Sequence, residues 1–258
     1  MSLHHSISIS PTNAQAPWLV LIHGLFGNAD NLAVVKRHFA TQYNIVSVDL
    51  PDHGQSDWSN EFTLDDAAIK LKSLLDTLSI SRCAILGHSL GGKVAMLFSL
   101  THPDNVTKLI VADIAPVNYT HRHQAVFDGL TAVTLESLES RKHADQLMSQ
   151  HIVEPGVRQF LLKSLYQDEN KAWRWRFNLH GLIESYPNII SWPDISLSTQ
   201  CPTLFIKGND SDYILPEHRS SIAKHFPKAK AHVIEGTGHW LHAEKPAAFN
   251  RIVENYLK

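Results

Sequence analysis

The sequence predicts an α/β fold: a mostly parallel sheet with helices on both faces, and a helical cap inserted before the last two strands. Three observations carry this reading. Short, continuous apolar runs of the kind buried on both faces alternate with amphipathic stretches up to about residue 115. The alternation stops between about Pro116 and Pro193, then resumes to the end of the chain. Hydrophobic residues make up 43% and charged residues 19% of the 258 residues, which is enough apolar surface for a large core.

Taken in order, Trp18–His23 is the first buried-strand run, followed by Asn44–Asp49, Cys83–Gly87 and Leu109–Asp113. Between the second and third, Leu64, Ala67, Ala68, Leu71, Leu74, Leu75 and Leu78 recur at three-and-four spacing, the stripe of an amphipathic helix. Thr63 with Asp66 resembles a capping box at its start. Lys93–Leu100 is a second helical run. Strand alternating with helix implies parallel pairing through right-handed crossovers. In the interruption, Leu135–Met148, Gly156–Tyr166 and Trp173–Tyr186 read as helices. Thr203–Lys207 and Ala231–Ile234 restore the strands, and Pro246–Leu257 closes the chain as a helix. The expected division is a core of 1–115 and 194–258 with a cap of 116–193. The cap is free to fold over the carboxyl ends of the strands, where open α/β sheets bind ligands.

Charge argues against a polyanionic partner. The formal net charge is −2 and the pI about 6.8, and no lysine–arginine run has the length of a nucleic-acid patch. Lys171-Ala172-Trp173-Arg174-Trp175-Arg176 interleaves aromatics with cations and is read as one face of an amphipathic helix. Cys83 sits in an apolar run and is expected to be a buried free thiol. The two cysteines form no metal spacing and no disulfide framework. His4-His5 and His121-Arg122-His123 lack a third ligand at helical spacing, so no metal is expected. The first residues carry neither a basic start nor a signal-length apolar run, and no stretch approaches the ~20 residues of a membrane span. A soluble, cytoplasmic protein without nucleic-acid or membrane partners is expected.

Gly87-His88-Ser89-Leu90-Gly91 is a G-x-S-x-G pentapeptide between a strand and a helix, the context of a nucleophile elbow. The turn requires small residues two before and two after the serine. Ser89 is thus the candidate nucleophile. An acyl-transfer transition state needs two preorganised donors for its oxyanion. The N–H groups of Leu90, after the nucleophile, and Leu25, in the loop His23-Gly24-Leu25-Phe26-Gly27, are the candidates. A serine hydroxyl needs a base. His239 alone among the histidines follows the last strand on a glycine-flanked loop, Gly236-Thr237-Gly238-His239. The acid stays open between Asp113, at a strand end, and Asp210 or Asp212 in the loop after Thr203–Lys207; all fit the order Ser…Asp…His. Asp113 has the more rigid mounting.

These motifs, with Asp49-Leu50-Pro51-Asp52-His53-Gly54-Gln55-Ser56, resemble the α/β-hydrolase superfamily over nearly the whole chain. Asp113-Ile114-Ala115-Pro116-Val117, Trp175-Arg176-Phe177-Asn178-Leu179 and Gly238-His239-Trp240-Leu241-His242-Ala243-Glu244-Lys245-Pro246 resemble the YbfF-type bacterial esterases. The resemblance implies an α/β-hydrolase fold and a cofactor-free esterase or thioesterase, with a small-molecule ester or acyl-CoA-type thioester as its partner. In that group the acid maps to Asp113, whereas the commoner superfamily position maps to Asp212. Trp175, Phe177 and Trp240 are the expected substrate-binding side chains. A serine nucleophile argues against dehalogenase and epoxide-hydrolase chemistry. Cofactor-free perhydrolases, carbon–carbon hydrolases and hydrolase-fold receptors share the same residues and are the alternatives.

Overall fold

The computed structural model describes residues 2–258. Its strands are β1 (His5–Ser8), β2 (Trp18–Ile22), β3 (Asn44–Val48), β4 (Cys83–His88), β5 (Val106–Ala112), β6 (Leu165–Gln167), β7 (Trp173–Trp175), β8 (Thr203–Gly208) and β9 (Ala229–Ile234). Its α-helices are α1 (Ala33–Phe39), α2 (Leu64–Thr77), α3 (Leu90–Thr101), α4 (Gln124–Thr131), α5 (Arg141–Met148), α6 (Pro155–Leu162), α7 (Leu179–Glu184), α8 (Tyr186–Ile190), α9 (Arg219–His225), α10 (Leu241–Glu244) and α11 (Pro246–Leu257). Seven strands form one sheet in the order β1-β3-β2-β4-β5-β8-β9. Only β1 is antiparallel to its neighbour; the other pairs are parallel.

The apolar runs of the central strands divide by parity between two layers. Val20 and Ile22 of β2 face one cluster with Val46, Val48, Ile85 and Val111. Leu19 and Leu21 face the other with Ile45, Leu86 and Ile110. A strand covered on both sides therefore shows no polar alternation. On the first layer α2 buries Leu64, Ala67, Ala68, Leu71, Leu74 and Leu75. Its Thr63 side chain accepts the N–H of Asp66 at 3.1 Å, satisfying one of the free donors at a helix start. Both cysteines are buried and unpaired, and burial pushes the Cys83 thiol up to about 12.

Register sets the carboxyl edge. His88 pairs with Ala112, Ala112 with Ile206, and Gly208 with Ile234. The next residues of β4 and β5, and the loop after β9, therefore emerge along one rim. Ser89 (φ 52°) and Asp113 (φ 54°) both turn sharply there in the left-handed region, which costs a side-chain-bearing residue on the order of 1–3 kcal/mol and persists only where the surroundings enforce it.

Between β5 and β8 the chain builds α4–α8 and a two-stranded antiparallel hairpin, β6-β7. The hairpin corrects the helix expected over Trp173–Tyr186. Trp173-Arg174-Trp175 alternates with period two: Trp175 is buried and Arg174 exposed. Asp168 closes the turn, its carboxylate accepting the N–H groups of Asn170 and Ala172 at 2.9 Å. The basic–aromatic cluster is thus a hairpin arm. Helix resumes only at α7, where the Asn178 side chain accepts the N–H of Gly181. The other two expected helices are also shorter: α6 stops at Leu162 before β6, and Leu135–Ser137 is a single 3₁₀ turn ahead of α5.

The insert is stitched to the sheet domain from several sides. Gly54 N–H donates to Arg176 O at 2.6 Å. The Asn178 side chain donates to Asp52 at 2.9 Å, and Ser164 Oγ to Phe26 O at 3.0 Å. Lys93, on α3 and only 1% exposed, donates to the carbonyls of Ile190 and Ser191, each at 2.7 Å. Among the described residues no helix is long and apolar enough to cross a membrane.

Candidate active site

Ser89 sits between the end of β4 and the first turn of α3. A side chain at Gly87 would lie 2.2 Å from Gly91 O, and one at Gly91 would lie 2.4 Å from the carbonyls of Ile22 and His23. The turn closes only because both positions lack a Cβ. The result aims the Ser89 hydroxyl into a cavity and places it at a helix N-terminus, where negative charge is favoured.

His239 reaches the same rim on the loop after β9. Its Nε2 is 2.9 Å from Ser89 Oγ, and its Nδ1 is 2.7 Å from Asp113 Oδ2. Asp113 is fully buried. Its other oxygen accepts the N–H of Gly208 at 3.1 Å, and Ser211 Oγ donates to Oδ2. Ser89, His239 and Asp113 thus form one hydrogen-bonded chain. Asp212 is not part of it: its carboxylate is exposed and paired with Arg122. Asp210 is likewise exposed.

Two neighbouring histidines, His23 and His88, are held in structural bonds. His23 accepts the N–H of Leu50 on Nε2 at 3.0 Å, leaving Nδ1–H to donate to Gly24 O at 2.7 Å. His88 donates from Nε2 to the carbonyl of His239 at 2.8 Å, tying the residue before Ser89 to the loop that carries His239. Burial, then the nearby His242 and His239, hold His88 well below the usual imidazole range. Burial, helped by His239 and Lys163, pushes His242 down to about 3. Both are neutral at neutral pH.

A cavity of about 280 Å³ opens on Ser89, His239 and Leu25, with Val126, Val157, Phe160 and Trp240 among its walls. A second, smaller lobe of about 30 Å³ shares Ser89 with it and is bordered by Leu90, Lys93, Tyr119 and Ile190. Larger grooves of about 540 and 880 Å³ contain neither Ser89 nor His239. The N–H groups of Leu25 and Leu90 take no part in the loop and turn hydrogen bonds that engage their neighbours among the described residues, and both residues border the lobe beside Ser89.

Of the expected substrate-binding side chains, only Trp240 lines the cavity. Trp175 and Phe177 do not. They are 7% and 1% exposed and stack on each other at 5.2 Å, and Phe177 packs behind the cavity residue Phe26 at 5.1 Å. Their apolar area goes into the main core, in the same cluster as Phe26 and the β2 residues Val20 and Ile22. Four residues at the site escape motif reading: Ser211, Tyr213, Arg122 and His123. Tyr213 stacks on His239 with ring centroids 3.7 Å apart. The only sequence signal for the last two is the His121-Arg122-His123 triplet, which lies in the insert shortly after Asp113-Ile114-Ala115-Pro116-Val117.

Residues 17–246 match the family described as alpha/beta hydrolase fold. The chain is 41% identical over 240 residues to esterase YbfF of Escherichia coli K12, covering 93% of this chain and 92% of that protein. It is 35% identical over 263 residues to an sn-1-specific diacylglycerol lipase of Mus musculus, covering 98% and 84%. Among solved structures, one titled marine microorganism esterase superposes with a TM-score of 0.94 at 31% identity, covering 99% of both chains.

Proposed function

The chain belongs to the alpha/beta hydrolase fold family, and from that premise we propose that it hydrolyses carboxylic esters or acyl-CoA-type thioesters through an acyl-enzyme on Ser89. The observation that carries the proposal is the hydrogen-bonded chain Ser89–His239–Asp113 on the wall of a largely apolar cavity. The relatives named esterase and diacylglycerol lipase support ester cleavage.

In this reading His239 Nε2 takes the hydroxyl proton as Ser89 Oγ attacks the substrate carbonyl. The bond to Asp113 fixes the imidazole tautomer and steadies the imidazolium. The N–H groups of Leu25 and Leu90 receive the oxyanion, a contribution worth several kcal/mol per donor pair in related chemistry. His239 then protonates the leaving alkoxide or thiolate. Water, activated by the same imidazole, releases the acid and restores Ser89. The segment 116–193 acts as a cap on the core of 1–115 and 194–258, and its Val126, Val157 and Phe160 receive the acyl chain with Trp240.

The test is Ser89→Ala on a p-nitrophenyl ester, with fluorophosphonate labelling of the wild type. Loss of a triad member costs several powers of ten in kcat. Turnover close to wild type with an unchanged Tm would remove Ser89 from the reaction. A panel of acyl-CoA and p-nitrophenyl esters of rising length then separates thioester from ester preference.

A further inference from the structure

Both nitrogens of His239 are engaged in the plane of its ring, by Asp113 and Ser89. Those bonds fix the ring along their own line and resist rocking out of that plane only weakly. The faces are covered by other groups. Tyr213 lies parallel on one of them, with planes 16° apart and centroids 3.7 Å apart. The phenol ring therefore limits rocking of the imidazole toward that face.

Tyr213 is itself held from several directions. Its carbonyl accepts the Tyr119 hydroxyl at 2.6 Å, and its N–H donates to Ser211 Oγ at 3.2 Å. The Arg122 guanidinium stands over the same ring at 4.0 Å from its centre. Two groups so close to one centre occupy opposite faces, so the phenol ring is clamped between Arg122 and His239. Its outer end is bonded to His123: the Tyr213 hydroxyl and His123 Nε2 are 3.0 Å apart. On its other side His123 Nδ1 meets the Tyr186 hydroxyl at 2.5 Å. Tyr186 is 2% exposed and packs edge-on against Phe127 at 4.8 Å, which makes it a fixed point of the insert. Burial, then the nearby Arg122 and histidines, pushes His123 down to about 4. The neutral ring offers one donor and one acceptor, which matches two hydroxyl partners.

We infer that His123 is a positioning residue of this site: through the Tyr213 phenol it holds the His239 imidazole on the line between Asp113 and Ser89. The inference rests on His239 serving Ser89 as its base. It links the insert to the proton transfer itself, beyond shaping the cavity. A misplacement of even 1 Å at a reacting group can cost roughly 100-fold in rate, so the lever is large.

A double-mutant cycle distinguishes this role from a merely structural one. Tyr213→Phe removes the hydroxyl and keeps the stacked ring. His123→Leu removes the partner. If His123 acts through that hydroxyl, each single variant and the double variant lose kcat by the same factor, roughly 10- to 100-fold, while KM for a short p-nitrophenyl ester moves far less. His123→Gln, whose amide can bond the phenol from a similar place, restores most of the rate. Losses that multiply in the double variant overturn the inference. So does a rise in KM with kcat intact, or a Gln variant no better than Leu. Should His123→Leu fail to fold, the pair Tyr213→Phe and His123→Gln decides: kcat must fall in the first and largely persist in the second. Fluorophosphonate labelling of Ser89 runs alongside. Labelling that slows in Tyr213→Phe in step with kcat supports the role. Wild-type protein that fails to label at all overturns the nucleophile assignment and this inference together. Rapid labelling with normal turnover in Tyr213→Phe overturns the role of His123 alone.

Discussion

Asp113 receives three hydrogen bonds while fully excluded from water, from Gly208, Ser211 and His239. Burying a polar group is costly unless it is hydrogen-bonded, and here one partner is the imidazole that touches Ser89. Asp212 has the opposite surroundings, exposed and facing Arg122, where an ion pair contributes little. We therefore expect Asp113→Asn to cost about 10⁴ in kcat on a p-nitrophenyl ester, the loss known when the wrong tautomer is favoured. Asp212→Asn and Asp210→Asn should stay within a few-fold of wild type. A collapse in Asp212→Asn with Asp113→Asn nearly normal would move the acid to the later loop. The residues read from sequence at this scale were those whose local context is demanding: a serine in a glycine turn, a histidine on a glycine loop, an aspartate ending an apolar strand. Ser211 and Tyr213 escaped because Gly208-Asn209-Asp210-Ser211-Asp212 looks like any solvated turn. The partner of Ser211 becomes visible only when β5 and β8 lie side by side, and that of Tyr213 only when the loop after β9 reaches the same rim.

At the scale of elements, the central strands and α2 were legible because burial leaves a period in the chain. β1 was not: His5-Ser6-Ile7-Ser8 lies at the sheet edge, half exposed, and needs no apolar run. β7 was misread because three residues alternating Trp-Arg-Trp give too short a window to outweigh the helical pattern after them. α3 carries a different burden. Its Lys93 is buried without a carboxylate partner among its hydrogen bonds, held by backbone carbonyls at the end of α8 and standing 5.0 Å from the centre of the Tyr119 ring. Burial lowers it from 10.5 to about 7. Between those values the unfolded chain binds more protons than the folded one, so this residue makes stability rise with pH across that window, by up to about 1.4 kcal/mol per pH unit. Below the folded value both states are protonated and the slope vanishes. Urea unfolding at pH 7 and pH 9 should show the rise in wild type and not in Lys93→Met. Parallel curves for the two proteins would mean that the ammonium keeps its charge, sustained by Ile190 and Ser191.

For the molecule as a whole, alternation and its interruption implied one sheet and one insert, but not the strand order or the stitching between them. Those depend on contacts distant in sequence, which leave no local period. One such contact has a kinetic consequence. Asp113 accepts a bond from Gly208, 95 positions away, and the β5–β8 pairing beside it can form only after the entire insert has been looped out. Loop closure costs entropy before the strands return any stabilisation. Ser89 and Asp113 stand before the loop and His239 after it, so the parts of the site meet late in folding. On dilution from denaturant, the far-UV signal should recover before Ser89 becomes reactive toward a pulse of fluorophosphonate. Equal rate constants for the two would place the closure early instead. A newly made chain would then pass through an interval in which its secondary structure is largely formed while its serine is still inert.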